Sequence, residues 1–133
     1  MKFLLKRNTG IILLIVLLLL TGCVHEAEKE AIYVNITARE AKELMDREEG
    51  YVILDVRTEE EYAQGHIPGA ILIPDYEIAA KAEEILSDKD QMILIYCRSG
   101  RRSKNAAQAL VQLGYTDIRE FGGIIDWPYD IER

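Results

Sequence analysis

Cys97 is followed at once by Arg98-Ser99-Gly100-Arg101-Arg102, three arginines and a glycine within five residues. A thiolate, not a thiol, is the nucleophilic form of cysteine, and an unperturbed thiol near pKa ~8.5 is mostly protonated at neutral pH. A glycine-containing loop of this length can wrap backbone N–H groups around the sulfur. A helix starting behind it points its positive end at the same place, worth about 0.3–1 kcal/mol. That is less than one pKa unit, so dipole, N–H cradle and arginine charges are all needed to hold the thiolate. Cys97 is therefore the candidate nucleophile, and Arg98, Ser99, Gly100, Arg101 and Arg102 are its candidate anion-binding surround. A bland alternative, a small buried hydrophobe ending a strand, leaves the arginines without a purpose.

The elements on either side place this loop. Met92 to Tyr96 is a run of five apolar residues, the pattern of a central strand covered on both faces. Ser103 to Leu113 carries apolar residues at Ala106, Ala107, Leu110, Val111 and Leu113, a helical spacing that Gly114 closes. Upstream, Thr37 and Glu40 have capping-box spacing for a helix running to about Glu48, and Thr58 with Glu61 repeats it for a short helix ending near Gly65 and Pro68. Tyr51 to Asp55 and Ile71 to Ile73 read as strands, Tyr76 to Leu86 as a helix, and Ile118 to Phe121 as a last short strand before Gly122-Gly123 and a helical end with Trp127. Strands and helices that alternate imply an α/β fold: one three-layer domain whose mostly parallel central sheet, of about five strands, is flanked by helices. Ligands bind such sheets beyond the carboxyl ends of the strands. That rule picks out 97–102 and also 55–57.

The chain has 133 residues with 16 Lys+Arg against 23 Asp+Glu, a net charge of −7. Three of the basic residues, Lys2, Lys6 and Arg7, and none of the acidic ones lie in residues 1–22, so the rest is more acidic still. A body of that charge, without a basic stripe, repels phosphate backbones, and no nucleic-acid partner is expected. Two cysteines and two histidines, spaced as they are, make neither a structural metal site nor a disulfide framework. No metal or cofactor is expected.

Behind the basic start, Ile11 to Leu20 is an unbroken apolar run of ten residues. As a helix it spans about 15 Å, half of a ~30 Å hydrocarbon core, which suits a secretory signal better than a membrane span. Leu20-Thr21-Gly22-Cys23 closes the run and resembles a bacterial lipobox. The resemblance implies that residues 1–22 are a lipoprotein signal peptide and that Cys23 is lipidated as the mature N-terminus. Residues 23–31 are then a charged, flexible tether, and residues 32–133 are the domain. The implied location is the cell membrane, lipid-anchored and facing the extracytoplasmic side.

Over about Tyr33 to Tyr129 the chain resembles the rhodanese-like domain. The motifs that carry this are Asp55-Val56-Arg57 with Glu61-Tyr62, Gly65-His66-Ile67-Pro68-Gly69-Ala70, Tyr96 through Ser103, and Gly122-Gly123-Ile124 with Trp127, in that order. The resemblance implies a sulfurtransferase in which Cys97 carries sulfane sulfur as a persulfide. Its partners would be a small anionic sulfur donor and a thiol or cyanide acceptor. Other readings are a sulfur-carrier or redox partner with a protein acceptor, and a non-catalytic binding module of the same fold. A phosphatase or arsenate reductase needs five residues between cysteine and arginine, which would put the arginine at 103, where Ser103 stands.

Asp55 and Arg57 are expected to support the site. Arg57 either lies at the pocket rim or, the favoured reading, pairs with Glu60 or Glu61 and fixes the strand end. His66 is expected to be a hydrogen-bonded structural residue, and Trp127 a core or pocket-wall aromatic.

Overall fold

The computed structural model describes residues 32–133; the apolar run, Cys23 and the tether lie outside the described residues. Strands β1 (Val34–Asn35), β2 (Val52–Asp55), β3 (Ile71–Leu72), β4 (Ile93–Cys97) and β5 (Ile118–Gly123) form one sheet in the order β1-β5-β4-β2-β3. Every neighbouring pair is parallel. The expected three-layer α/β domain with a parallel sheet of five strands is therefore found. β4 lies at the centre, and all five of its residues are buried, which is why it reads as an unbroken apolar run.

Helices α1 (Ala38–Arg47), α2 (Glu59–Gln64), α3 (Ile78–Ile85) and α4 (Arg101–Gln112) connect the strands. Both capping boxes form: Thr37 Oγ1 accepts from the Glu40 N–H and Thr58 Oγ1 from the Glu61 N–H, while each glutamate reaches back to the cap. On one face of the sheet, Leu54, Ile93, Ile95 and Ile118 pack with Ile78 and Ala82 of α3 and Ala106, Ala107 and Leu110 of α4. On the other, Ile53, Leu94, Tyr96 and Phe121 pack with Ala41 and Leu44 of α1 and with Trp127. Trp127 is thus a core aromatic, as expected.

Three boundaries differ from the sequence reading. The helix after Cys97 begins at Arg101, not Ser103; arginine is a good helix former, and its charge had marked it as loop. The helix expected over Tyr76 to Leu86 splits into a 3₁₀ turn, Asp75–Glu77, and α3. β5 runs on through Gly122 and Gly123, because a register shift opposite Ile95 to Cys97 accommodates an additional residue and lets Gly123 pair with Cys97.

Connections from β2 lead toward β3, and those from β4 lead to β5 on the opposite side. The carboxyl ends of β2 and β4 therefore flank a divergence in the chain path, where Asp55, in register with Tyr96, and Cys97 end their strands on opposite faces.

Candidate active site

Cys97 is the last residue of β4 and is only 1% exposed. The chain turns sharply over Arg98, Ser99 and Gly100 before α4 starts. Gly100 has φ +103°, a left-handed conformation open to glycine, and in it the Gly100 N–H donates to Cys97 Sγ at 3.0 Å. From the first turn of α4 the Ser103 hydroxyl lies 3.4 Å from the same sulfur. Burial pushes the Cys97 thiol up. The Ser103 hydroxyl, with the backbone N–H groups of Ser103, Gly100 and Ser99, outweighs it and leaves the thiol below its ordinary value. The sulfur sits in a nest of N–H groups at a helix N-terminus, a place built for negative charge.

β5 forms the floor of the loop. A Cβ on Gly123 would stand 2.0 Å from the Arg98 carbonyl oxygen and 2.5 Å from Ser99 Cα, so only glycine lets the strand pass beneath the turn. The clash gives a steric reason for Gly123; Gly122 meets no neighbour but has φ +90°, a left-handed backbone that favours glycine.

The three arginines do different things. Arg98 and Arg101 are exposed, and among the described residues neither makes a salt bridge. They are the cations available to an incoming anion. Arg102 is instead held by Glu61, both guanidinium nitrogens donating to the carboxylate at 2.8 Å. Glu61 falls to about 2 under this pairing, despite some burial in the opposite sense. Arg102 still contributes charge near Cys97.

Asp55 and Arg57 form a separate network. The Arg57 Nε and Nη2 donate to the Asp55 carboxylate at 3.0 and 2.7 Å, and Tyr96 Oη donates to the same group at 2.7 Å. The Arg57 Nη2 also reaches the Gly65 carbonyl at 2.7 Å. Arg57 is 5% exposed and Asp55 0%. The expected pairing of Arg57 with Glu60 or Glu61 is corrected: its partner is Asp55, two residues back, because Glu61 is committed to the Thr58 cap and to Arg102. Arg57 is buried rather than at a pocket rim, with Nε and Nη2 engaged by Asp55 and Gly65. Tyr96, raised by burial and by Asp55, passes this network to the Ile67 N–H at 3.1 Å. His66 stacks on Tyr62 with ring centroids 3.7 Å apart and bonds to Tyr62 O and Glu132. It is structural, as expected.

The sequence marks Ser103 as a helix start, as the end of the Tyr96 to Ser103 motif and as the residue standing where an arginine would be. It gives Ser103 no role at the sulfur, and it passes over Glu120. Glu120 is 2% exposed and accepts the Ser103 hydroxyl at 2.6 Å. Its signal was present: the alternation along β5 puts Glu120 on the face of buried Ile118, where a carboxylate is out of place. A hydroxyl has one proton, and Glu120 and Cys97 compete for it.

The profile of the rhodanese-like domain matches residues 37–128. "Thiosulfate sulfurtransferase PspE" of Escherichia coli is 38% identical over 73 residues, covering 55% of this chain and 70% of that protein. "Putative sulfur carrier protein YrkF" of Bacillus subtilis is 37% identical over 107 residues, 80% of this chain; the chain spans 57% of that protein's length. Among solved structures, a rhodanese-related protein from Thermoplasma volcanium matches with a TM-score of 0.66 at 33% identity, over 75% of this chain and 98% of that one. A structure of a rhodanese with anions from E. coli matches with a TM-score of 0.59 at 34% identity, over 62% and 98%. With its parallel sheet, its cysteine at the end of the central strand and the match along residues 37–128, the chain belongs to the rhodanese-like domain family of sulfurtransferases.

Proposed function

We propose that this protein transfers sulfane sulfur from thiosulfate or a persulfide donor to a thiophilic acceptor through a persulfide on Cys97. The observation that carries the reading is the setting of Cys97 Sγ: an N–H bond from Gly100 at 3.0 Å, a helix N-terminus behind it, and two exposed arginines beside it. In the first half-reaction the Cys97 thiolate attacks the outer sulfur of thiosulfate. A Cys97–sulfur bond forms, the sulfur–sulfur bond of the donor breaks, and sulfite leaves with the electron pair. In the second, cyanide or a thiolate attacks that outer sulfur, and the electron pair of the broken bond returns to Cys97. N–H groups of the loop meet the negative charge at both stages, already oriented for it. No general base is required once the thiolate is formed.

Arg98 and Arg101 are proposed to draw in the anionic donor against the protein's net charge of −7. Ser99 and Gly100 supply backbone N–H groups, and Arg102 acts through its charge while fixed by Glu61. Because Cys97 is nearly covered, the site favours a donor that presents sulfur on a narrow stem over a bulky phosphoester. The name of the YrkF relative supports a second reading, in which the acceptor is another protein and the chain is a sulfur carrier. Both readings use the same persulfide.

We further propose that the domain works outside the cytoplasmic membrane, held there by lipid on Cys23. The support is the Leu20-Thr21-Gly22-Cys23 pattern behind a ten-residue apolar run; two acyl chains at ~0.8 kcal/mol per buried CH₂ anchor a protein stably. A steady-state assay of the purified domain with thiosulfate and cyanide tests the chemistry. Thiocyanate formation with ping-pong kinetics is expected, and no turnover with these or with an alkyl persulfide donor would overturn the reading.

A further inference from the structure

Glu120 is a carboxylate without a visible task. It is 2% exposed, on the face of the sheet where its neighbours are apolar, and among the described residues it makes no salt bridge. Burying such a group costs several kcal/mol unless it is bonded. Its bonds are two: from the Ser103 hydroxyl at 2.6 Å and from the Gly122 N–H at 2.9 Å. The first is as short as a charge-assisted O–H···O⁻ contact. Ser103 Oγ is also 3.1 Å from the Gly100 carbonyl and 3.4 Å from Cys97 Sγ. It therefore stands between two groups that each want its single proton.

We infer that Glu120 is a positioning residue which, through the Ser103 hydroxyl, biases Cys97 toward its sulfur-loaded form. In the free enzyme a thiolate on Cys97 places negative charge at Sγ, one hydroxyl away from the carboxylate. Ser103 can then serve the thiolate only by turning away from Glu120. In the loaded enzyme Sγ is a neutral sulfur with single bonds to Cβ and to the outer sulfur, and the charge sits on the outer sulfur. Ser103 then stays on Glu120, and the two negative charges are further apart. On discharge the acceptor thiolate takes the outer sulfur, the bond to Sγ breaks, and its electron pair restores the charge at Sγ. Glu120 thus opposes the release of Cys97 as a leaving group and favours its attack as a nucleophile. This suits a protein that must hold sulfur until an acceptor arrives, and it rests on the sulfur-transfer reading above.

The other charged groups around the site are the exposed Arg98 and Arg101 of the loop, Arg102 with its partner Glu61, and Asp75, which interacts with Arg102. Asp55 and Arg57 are tied to Tyr96 on the opposite face.

The test is the pH dependence of Cys97 alkylation by iodoacetamide, which needs no sulfur donor, in wild type and in Glu120→Gln. Gln keeps the shape and an acceptor for Ser103; Glu120→Met, of similar length and apolar, is the second variant should Gln not fold. The alkylation midpoint should fall by about one unit in either variant, because Ser103 is no longer held by a carboxylate and its proton can serve the thiolate. The loaded variant should then pass sulfur to a fixed low-molecular thiol about threefold faster, a Brønsted slope of ~0.5 applied to that shift. In a Ser103→Ala background the Glu120→Gln shift should shrink to less than half. A midpoint that is unchanged or raised, or a full shift in the absence of Ser103, would overturn the inference. If wild type forms no persulfide at all, the sulfur-transfer reading and with it the loaded-form bias fail, while the alkylation result still reports the Glu120–Ser103–Cys97 coupling.

Discussion

Arg102 donates from Nη1 and Nη2 to the two carboxylate oxygens of Glu61, both at 2.8 Å, and so joins the first turn of α4 to α2 beside the nucleophile. The pair makes the three arginines of the 97–102 segment unequal. One is fixed on Glu61 and interacts with Cys97 through its charge, while two are exposed and free to meet a ligand.

This division predicts different kinetics. Arg98→Gln and Arg101→Gln should each raise KM for thiosulfate about fivefold, roughly 1 kcal/mol of lost attraction, with kcat nearly unchanged. The effect should fade as salt is added, since both side chains are exposed. Arg102→Gln should instead raise the alkylation midpoint of Cys97, because its charge acts on the thiolate. Identical KM effects for all three would refute the division.

Glu61 is held down to about 2 by Arg102, so the folded state binds this proton more weakly than the unfolded chain does. Its stabilisation is complete above the unfolded value near 4.5 and is lost as pH falls from there toward 2. At neutral pH, Glu61→Gln should cost on the order of 1–2 kcal/mol, a bidentate but partly exposed pair being discounted for solvent. Urea denaturation at pH 7, 4 and 3 should show the gap between wild type and variant closing steadily. A gap independent of pH would contradict the pairing.

Asp55→Ala should be far more damaging. It leaves the Arg57 guanidinium buried without its carboxylate and takes the acceptor from Tyr96. A loss of about 3–5 kcal/mol is expected, read as the shift in denaturation midpoint. A change below ~1 kcal/mol would show that the network is not structural.

Cys23→Ser should abolish incorporation of a labelled fatty acid and lipoprotein-type processing in a bacterial host. Equal label in wild type and variant, or none in wild type, would return the segment to an ordinary signal or anchor.

What was legible in the sequence was local or periodic. Both capping boxes depend on residues three apart and could be placed to within a residue, and the five apolar residues from Met92 marked the central strand directly. β1 left no trace, because Val34–Asn35 is two exposed residues at a sheet edge, too short for any alternation. Arg57 was misassigned for a physical reason: nearby acidic residues on α2 offered partners, and nothing in spacing alone shows that Glu61 is consumed by its own cap and by a residue 41 positions away. Ser103 and Glu120 meet only because α4 packs over β5, so their contact is a property of the fold.

The central claim is that Cys97 carries sulfur, and the most direct measurement is the mass of the peptide containing Cys97 after the purified domain is incubated with thiosulfate, without reductant. The account predicts a gain of one sulfur atom, about 32 Da, on Cys97. The added mass should vanish when cyanide is supplied, and it should be absent in Cys97→Ser, a variant that keeps the fold but has no thiolate. No added mass on wild-type Cys97 with thiosulfate or an alkyl persulfide, or the same gain in Cys97→Ser, would contradict it.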